Sequence, residues 1–259
     1  MLLDNQVLPL LGCLSTAPSL SLEARTRAAH LKVTGDPNSA LLEEPKHVSL
    51  PALGLLLHHQ QVSSIHAVNH RGNPDARFEL DFHQSDRRLD ISPHDPRLFN
   101  SLTACFGDRT IPAAALAAIR RAARPTLRIC PCCRRAAAKR AAEPDKHPLS
   151  GIFTQAMNDG GELQLRIENP SFSLATLFRP DTLEHSFGLV RARQGESTVF
   201  QASLSLVHCL RLRTVRTDGE TRSEVAAYDM HGKQTFALSS AREGIMQAWM
   251  AICDAYFES

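Results

Sequence analysis

Three of the chain's seven cysteines fall within four positions, in Cys130-Pro131-Cys132-Cys133. Arg128, Arg134 and Arg135 flank them, and neighbouring guanidinium groups favour a thiolate over a thiol. Such thiolates suit a soft metal or a redox switch, and the arginines suit the carboxylates of a ligand. The same residues also read as incidental thiols in a basic loop. A structural zinc site is less expected, because it wants two well-spaced ligand pairs. Here there is one cramped Cys-x-Cys-Cys, with His147 as the nearest fourth ligand in sequence.

The twelve histidines supply further candidates. His58, His59, His66 and His70 crowd one stretch, with His66 expected on the solvated face of a strand and His70 in a turn. His185 and His208 fall on or beside expected strands, where either could line a pocket. His231 sits in a turn. No nucleotide-binding glycine motif, Gly-x-Ser-x-Gly elbow or His-Glu-x-x-His pair is present.

The elements that must position these residues can be read from the pattern. The chain has 259 residues, 43% apolar and 22% charged, with a formal net charge of +2, as in an ordinary globular protein. Ten of the 29 Lys and Arg lie between Arg109 and Lys146, opposed there only by Glu143 and Asp145. That stretch is basic enough to attract anions. An odd cysteine count with adjacent thiols argues against a secreted disulfide framework and for a reducing cytoplasm. No apolar run is long enough to span a membrane. Leu10-Leu11-Gly12-Cys13 resembles a lipoprotein cleavage box, but Asp4 and Pro9 interrupt the leader, so an apolar segment packed on the core is expected.

Three parts are expected: a first half over 1–107, a basic connector with Ala-rich helices over 108–149, and a second half over 150–259. Glu162–Glu168 alternates with period 2, placing Leu163, Leu165 and Ile167 on one face. Stretches 171–178, 188–192, 199–207 and 210–215 continue the pattern between turn residues, predicting an antiparallel meander. Ser240 with Glu243 reads as a capping box opening a helix whose buried stripe is Ile245, Met246, Trp249, Ile252, Cys253 and Tyr256. Ser92-Pro93 is the matching start in the first half, with Leu98, Leu102, Cys105 and Phe106 inside. Cys105 and Cys253 are both expected in cores.

One unit occurs twice. Residues 63–82, with Asn69-His70-Arg71-Gly72, and residues 223–238, with Asp229-Met230-His231-Gly232, each run strand, turn and strand before a helical stretch. Together with Thr214-Val-Arg-Thr-Asp-Gly219 and the Ser223–Gly232 hairpin, this duplication resembles the HemS-type haem-utilisation family. The resemblance is best over 162–257 and covers about half the chain. It implies an α+β fold of two similar halves, each an antiparallel meander with a C-terminal helix packed on its sheet.

It also implies haem as ligand, handled in the cytoplasm by a carrier or storage protein that exchanges it with a delivery or accepting protein. Iron would take Cys130, Cys132, His147, His185 or His208, and Arg128 and Arg134 would take the propionates. Cys130, Cys132, Cys133 and His147 are the candidate metal ligands. The family's axial histidine, on a helix opening the second half, has no clear counterpart by motif. Two alternatives remain open: a non-catalytic relative whose connector docks a protein or nucleic-acid partner, and a haem-degrading enzyme. A nucleic-acid surface is the less expected partner, since the connector lacks interleaved aromatics for base stacking.

Overall fold

In this computed structural model, residues 2–3, 7–37, 41–69, 76–83, 87–109, 113–122, 129–217 and 219–258 are described. The chain forms two compact units, residues 1–26, 32–128 and 169–174 in one and residues 27–31, 129–168 and 175–259 in the other. Each unit therefore includes a short piece of chain from the opposite half of the sequence. The architecture is α+β, with antiparallel sheets and closing helices in two similar halves.

The first half runs β1 (Leu2–Leu3), α1 (Val7–Leu14), β2 (Leu20–Arg25), β3 (Ala29–Gly35), β4 (Leu42–Glu43), β5 (Val48–Leu50), β6 (Leu55–Leu57), β7 (Val62–Val68), β8 (Arg77–Phe82), β9 (Arg88–Pro93), α2 (Pro96–Phe106), β10 (Gly107–Arg109) and α3 (Ala113–Ala122). Its main sheet orders as β10-β1-β7-β8-β9-β2-β3. Apolar residues recur with period 2 along its strands and share one face. Ile65, Phe78, Leu80, Leu89, Ile91 and Leu22 face the core, where Phe78 meets Phe99 of α2 at 4.9 Å between ring centroids. Helix α1 buries Val7, Leu10, Leu11 and Leu14, the core packing expected of that apolar segment. A smaller set, β4-β5-β6, continues onto Phe172–Leu174.

The second half runs α4 (Pro131–Ala142), α5 (Pro148–Asn158), β11 (Leu163–Glu168), β12 (Phe172–Phe178), β13 (Thr182–Ser186), β14 (Leu189–Gln194), β15 (Thr198–Ser203), β16 (Cys209–Thr217), β17 (Glu220–Tyr228), β18 (Gln234–Ser240) and α6 (Ile245–Glu258). The order β16-β17-β18-β11-β12 repeats β7-β8-β9-β2-β3 of the first half. Phe153, Phe178, Phe200 and Phe236 form its aromatic core, with centroid separations of 4.9–6.0 Å. Helices α5 and α6 meet so closely that a Cβ on Gly151 would lie 2.7 Å from Ile252 Cγ2.

Several sequence expectations are corrected here. The second half is not one meander: β13-β14-β15 and β16-β17-β18 belong to different sheets, and β11 closes onto β18. Strand order also moves the repeat by one hairpin. The Gly232 turn lies between β17 and β18, so its counterpart is the β8–β9 connection, and the β7–β8 connection corresponds to the β16–β17 one. His70, Gly72 and Asp218 lie outside the described residues. The period-2 pattern registers either hairpin equally well, which is why the residues alone chose the wrong one.

The helix starts also differ. Ser240 ends β18 and accepts a hydrogen bond from the Arg242 N–H, Gly244 turns the chain at φ 75°, and α6 begins at Ile245 without a Ser240–Glu243 capping box. Its stripe is buried at Ile245, Trp249 and Cys253. Helix α2 starts at Pro96, where Asp95 Oδ1 accepts from the Arg97 N–H at 2.8 Å. Phe99 and Leu102 are its buried residues, whereas Cys105 is exposed and not a core cysteine.

The largest departure is a buried charged layer on the other face of the first sheet. Register aligns Glu23, Asp90, Glu79 and His66 across four strands, and beside them Arg25, Arg88, Asp81 and Ser64. His66 is 4% exposed, not solvated as expected, and its Nε2 stands 3.3 Å from Asp81 and 2.9 Å from Ser64 Oγ. Arg120 reaches down from α3 to pair with Asp81 at 2.8 Å and with Glu79. The second half has the equivalent row Gln164, Ser239, Glu224 and Arg213, in which buried Glu224 takes Arg166 at 2.9 Å and Arg213.

Asp90 is fully buried, and burial together with the Glu79 charge pushes its carboxyl up to about 6 despite Arg88, Arg25 and Arg77. A carboxyl raised in the folded state binds its proton more tightly there than in the unfolded chain. Its contribution is therefore present below the ordinary value and is lost as pH rises through about 6. Asp90→Asn should remove that part of the pH dependence, of the order of 3 kcal/mol. Urea midpoints measured across this window for the two proteins would check it; parallel curves would contradict it.

Candidate ligand cavity and thiol cluster

Within the second unit, α4, α5, β16 and α6 enclose a cavity of about 480 Å³. Its walls include Ala136, Pro148, Val207, Leu210 and Leu212, and its polar groups are Lys139, Arg140, His147, His208, Cys209 and Tyr256, with Cys253 also present. The volume and the few polar groups among apolar walls are those of a small-molecule site.

His147 sits at the start of α5. It is the N-cap of α5: its Nδ1 accepts from the Leu149 N–H at 3.2 Å, and Pro148 follows at the first helical position, where a missing N–H costs nothing. The ring is 3% exposed and lies 5.7 Å from the Tyr256 ring. Burial, and then the positive charge of Arg140, push its imidazolium down to about 4. At neutral pH His147 is therefore uncharged, as a metal-binding imidazole must be. With Nδ1 used by the helix, Nε2 is the nitrogen left without a hydrogen-bond partner among the described residues.

Arg140 is the second unusual group. Its Nε donates to the Leu204 carbonyl at 3.0 Å, but no carboxylate among the described residues lies within ion-pair distance of it. Burial accordingly pushes its guanidinium below the usual value. A half-buried, unpaired cation lining an apolar cavity is a ready partner for an anionic ligand.

The expected site residues divide on inspection. His147 and His208 line the same cavity. His185 does not: it is exposed on β13 and bonds Ser150 Oγ at 3.0 Å. Ser150 spends its proton on the Pro144 carbonyl at 2.6 Å, so His185 Nε2 is the donor. Arg134 is exposed on α4 away from the cavity lining, and Arg128 lies outside the described residues. Lys139, Arg140 and Tyr256 are cavity residues that were not singled out as ligands. Helical spacing with Ala136 was the one signal for Lys139 and Arg140, and it had no meaning until α4 was packed on β16; Tyr256 was read only as part of the α6 stripe.

The cysteines form a separate cluster. Cys130 is the N-cap of α4, with its Sγ accepting from the Cys133 N–H at 3.3 Å, so the thiols open a helix and do not hang in a loop. Sγ of Cys130 and Cys132 are 2.8 Å apart, and all three Sγ atoms lie within 4.8 Å of one another. His147 is not in that group. Hydrogen bonds from Cys132 and Cys133 lower the Cys130 thiol to about 7, and the same sharing pushes Cys133 up to about 11.

No family model matches the chain, and no curated protein matches its sequence. Solved structures do match it. The Escherichia coli O157:H7 heme degrading enzyme ChuS superposes with a TM-score of 0.72 over 96% of this chain and 85% of its own, at 13% identity. PhuS, a heme-binding protein from Pseudomonas aeruginosa, superposes in its apo form with a TM-score of 0.65 over 98% and 86%, also at 13% identity. The chain has the ChuS and PhuS fold. The two-half architecture expected from the duplicated hairpin is the one present. No helix among the described residues is long and apolar enough to cross a membrane.

Proposed function

We propose that this HemS-like chain binds haem, with the cavity of the second unit as its site. The observation that carries the reading is buried, neutral His147 in one apolar cavity with the Arg140 guanidinium, which no described carboxylate pairs. The residues fit the group. Val207, Leu210 and Leu212 offer apolar contact to a porphyrin, Arg140 and Lys139 offer charge-assisted hydrogen bonds to propionates, and His147 offers a nitrogen to iron. Haem supplies the redox-active iron; the chain supplies the ligand, the counter-charges and a dry wall.

Ligation asks one adjustment of His147. An imidazole donates through an unprotonated nitrogen, so the Nε2 proton must move to Nδ1 and the Leu149 cap bond must be released. A lost N-cap costs about 1 kcal/mol, which a metal–imidazole bond readily offsets. His208 stays the alternative ligand on the same wall.

Haem would be carried or stored and exchanged with a delivery or accepting protein. The exposed thiols of Cys105, Cys130 and Cys132 support a reducing, cytoplasmic location. Titrating the purified chain with hemin should give a saturable, shifted Soret band at one equivalent. A featureless titration at micromolar protein overturns the reading. Adding a reductant and oxygen then separates carrier from enzyme: the band persists for a carrier and bleaches for an enzyme of the kind ChuS is described to be.

A further inference from the structure

We infer that Cys130, Cys132 and Cys133 are a second, independent site that takes up one soft, thiophilic metal ion as a tris-thiolate complex. Three Sγ atoms within 4.8 Å of one another bracket the separation of about 3.8–4.0 Å that metal–sulfur bonds of about 2.3 Å impose. Two of the cysteines are exposed and one is half-exposed, so their side-chain torsions are free to adjust toward that spacing. The backbone is held by α4 itself, whose first turn carries Cys132 and Cys133 while Cys130 caps it.

The ligand set selects the ion by class. Thiolate sulfur prefers soft cations, copper(I), zinc(II) or cadmium(II), over magnesium or calcium, which require oxygen. Three sulfurs complete a trigonal copper(I) site, whereas zinc or cadmium would hold a water as fourth ligand. Charge supports either outcome. Three thiolates around a monovalent or divalent ion keep a net negative charge, and that charge lies at the positive end of α4 beside Arg134 and Arg135. The incoming cation displaces the thiol protons to solvent, with no change of oxidation state.

The cluster is separate from the cavity. None of its residues lines the walls, and His147, the fourth ligand suggested by sequence, is outside the sulfur group. Soft-metal uptake is thus a property of the chain's own connector, beyond the haem reading.

The test uses the full-length, anaerobically reduced protein without haem. Cadmium(II) is followed by its ultraviolet thiolate-to-metal band, zinc(II) and copper(I) by competition with chromophoric chelators. One equivalent should bind, with at least tenfold weaker binding in a Cys130→Ser, Cys132→Ser double variant and no change in Cys105→Ser. Preference for copper(I) or for the divalent ions supports the site and names its ion. Absence of stoichiometric uptake by the wild type, or undiminished uptake by the double variant, overturns it. Hemin binding should be the same in the double variant as in the wild type; its loss there would assign the thiols to haem and also overturn the proposal.

Discussion

Replacing Glu79 by alanine should destabilise the protein by about 3–5 kcal/mol, the cost of removing one partner from a buried ionic network. Glu79 is 2% exposed and accepts from Arg77 at 2.7–2.8 Å, from Arg88 at 3.3 Å and from Arg120. Burial opposes its ionisation, but the charges of Arg88, Arg120 and Arg77 outweigh that and hold its carboxyl below the usual range. Alanine would leave three guanidinium groups competing for Asp81 and Asp90. It would also remove one of the two anchors of Arg120, a contact that holds α3 to the sheet. Glu79→Gln keeps the shape and some hydrogen bonds, so it should cost less than alanine. Urea unfolding with an unchanged slope would report the difference directly. A midpoint within about 1 kcal/mol of wild type for Glu79→Ala would show that the layer is solvated, not structural.

The second large effect separates function from folding. Arg140→Met should leave the ligand-free protein within about 1 kcal/mol of wild-type stability, because only the bond to the Leu204 carbonyl is lost while an unpaired, desolvated charge is removed. The same change should weaken hemin about ten- to a hundredfold, since a hydrogen bond to a charged group is worth about 1.5–3 kcal/mol. His147→Ala should abolish the iron-sensitive part of the Soret shift while leaving residual apolar association. In the wild type, hemin affinity should stay level as pH falls through the ordinary histidine value of about 6.5, because burial keeps His147 neutral down to about 4. A step in affinity as pH falls through that range would remove His147 as the iron ligand. Arg140→Met with full affinity would remove the propionate contact from the reading.

Glu79 and Arg140, on which the two predictions turn, are residues that the amino-acid pattern did not mark as charged-core or ligand positions. Glu79 and Asp90 alternate correctly for a sheet face, and nothing local says that α3 will cover that face. Arg140 reads as one more cation in a basic helix. His147 stood out only by its place at the head of the second half; the structure adds the reason, a ring that caps α5 while walling the cavity. Cys105 misled in the opposite direction, because helical spacing grouped it with Leu102, whereas α2 buries Phe99 and Leu102 and leaves Cys105 exposed.

What the sequence by itself determined is local and repetitive. Alternation in 162–168, 171–178 and 223–238 specified strands, Gly232 and Gly219 specified turns, and the doubled hairpin specified two halves of HemS-like architecture. These follow from near-neighbour sterics and from the period of side chains along a strand, both properties of short segments. Only the tertiary structure decided which hairpin repeats which, that a polar sheet face is buried, and which cations and histidines share a cavity. Those depend on pairing between strands and helices far apart in the chain, and each such pairing is settled by burial and charge balance summed over many residues.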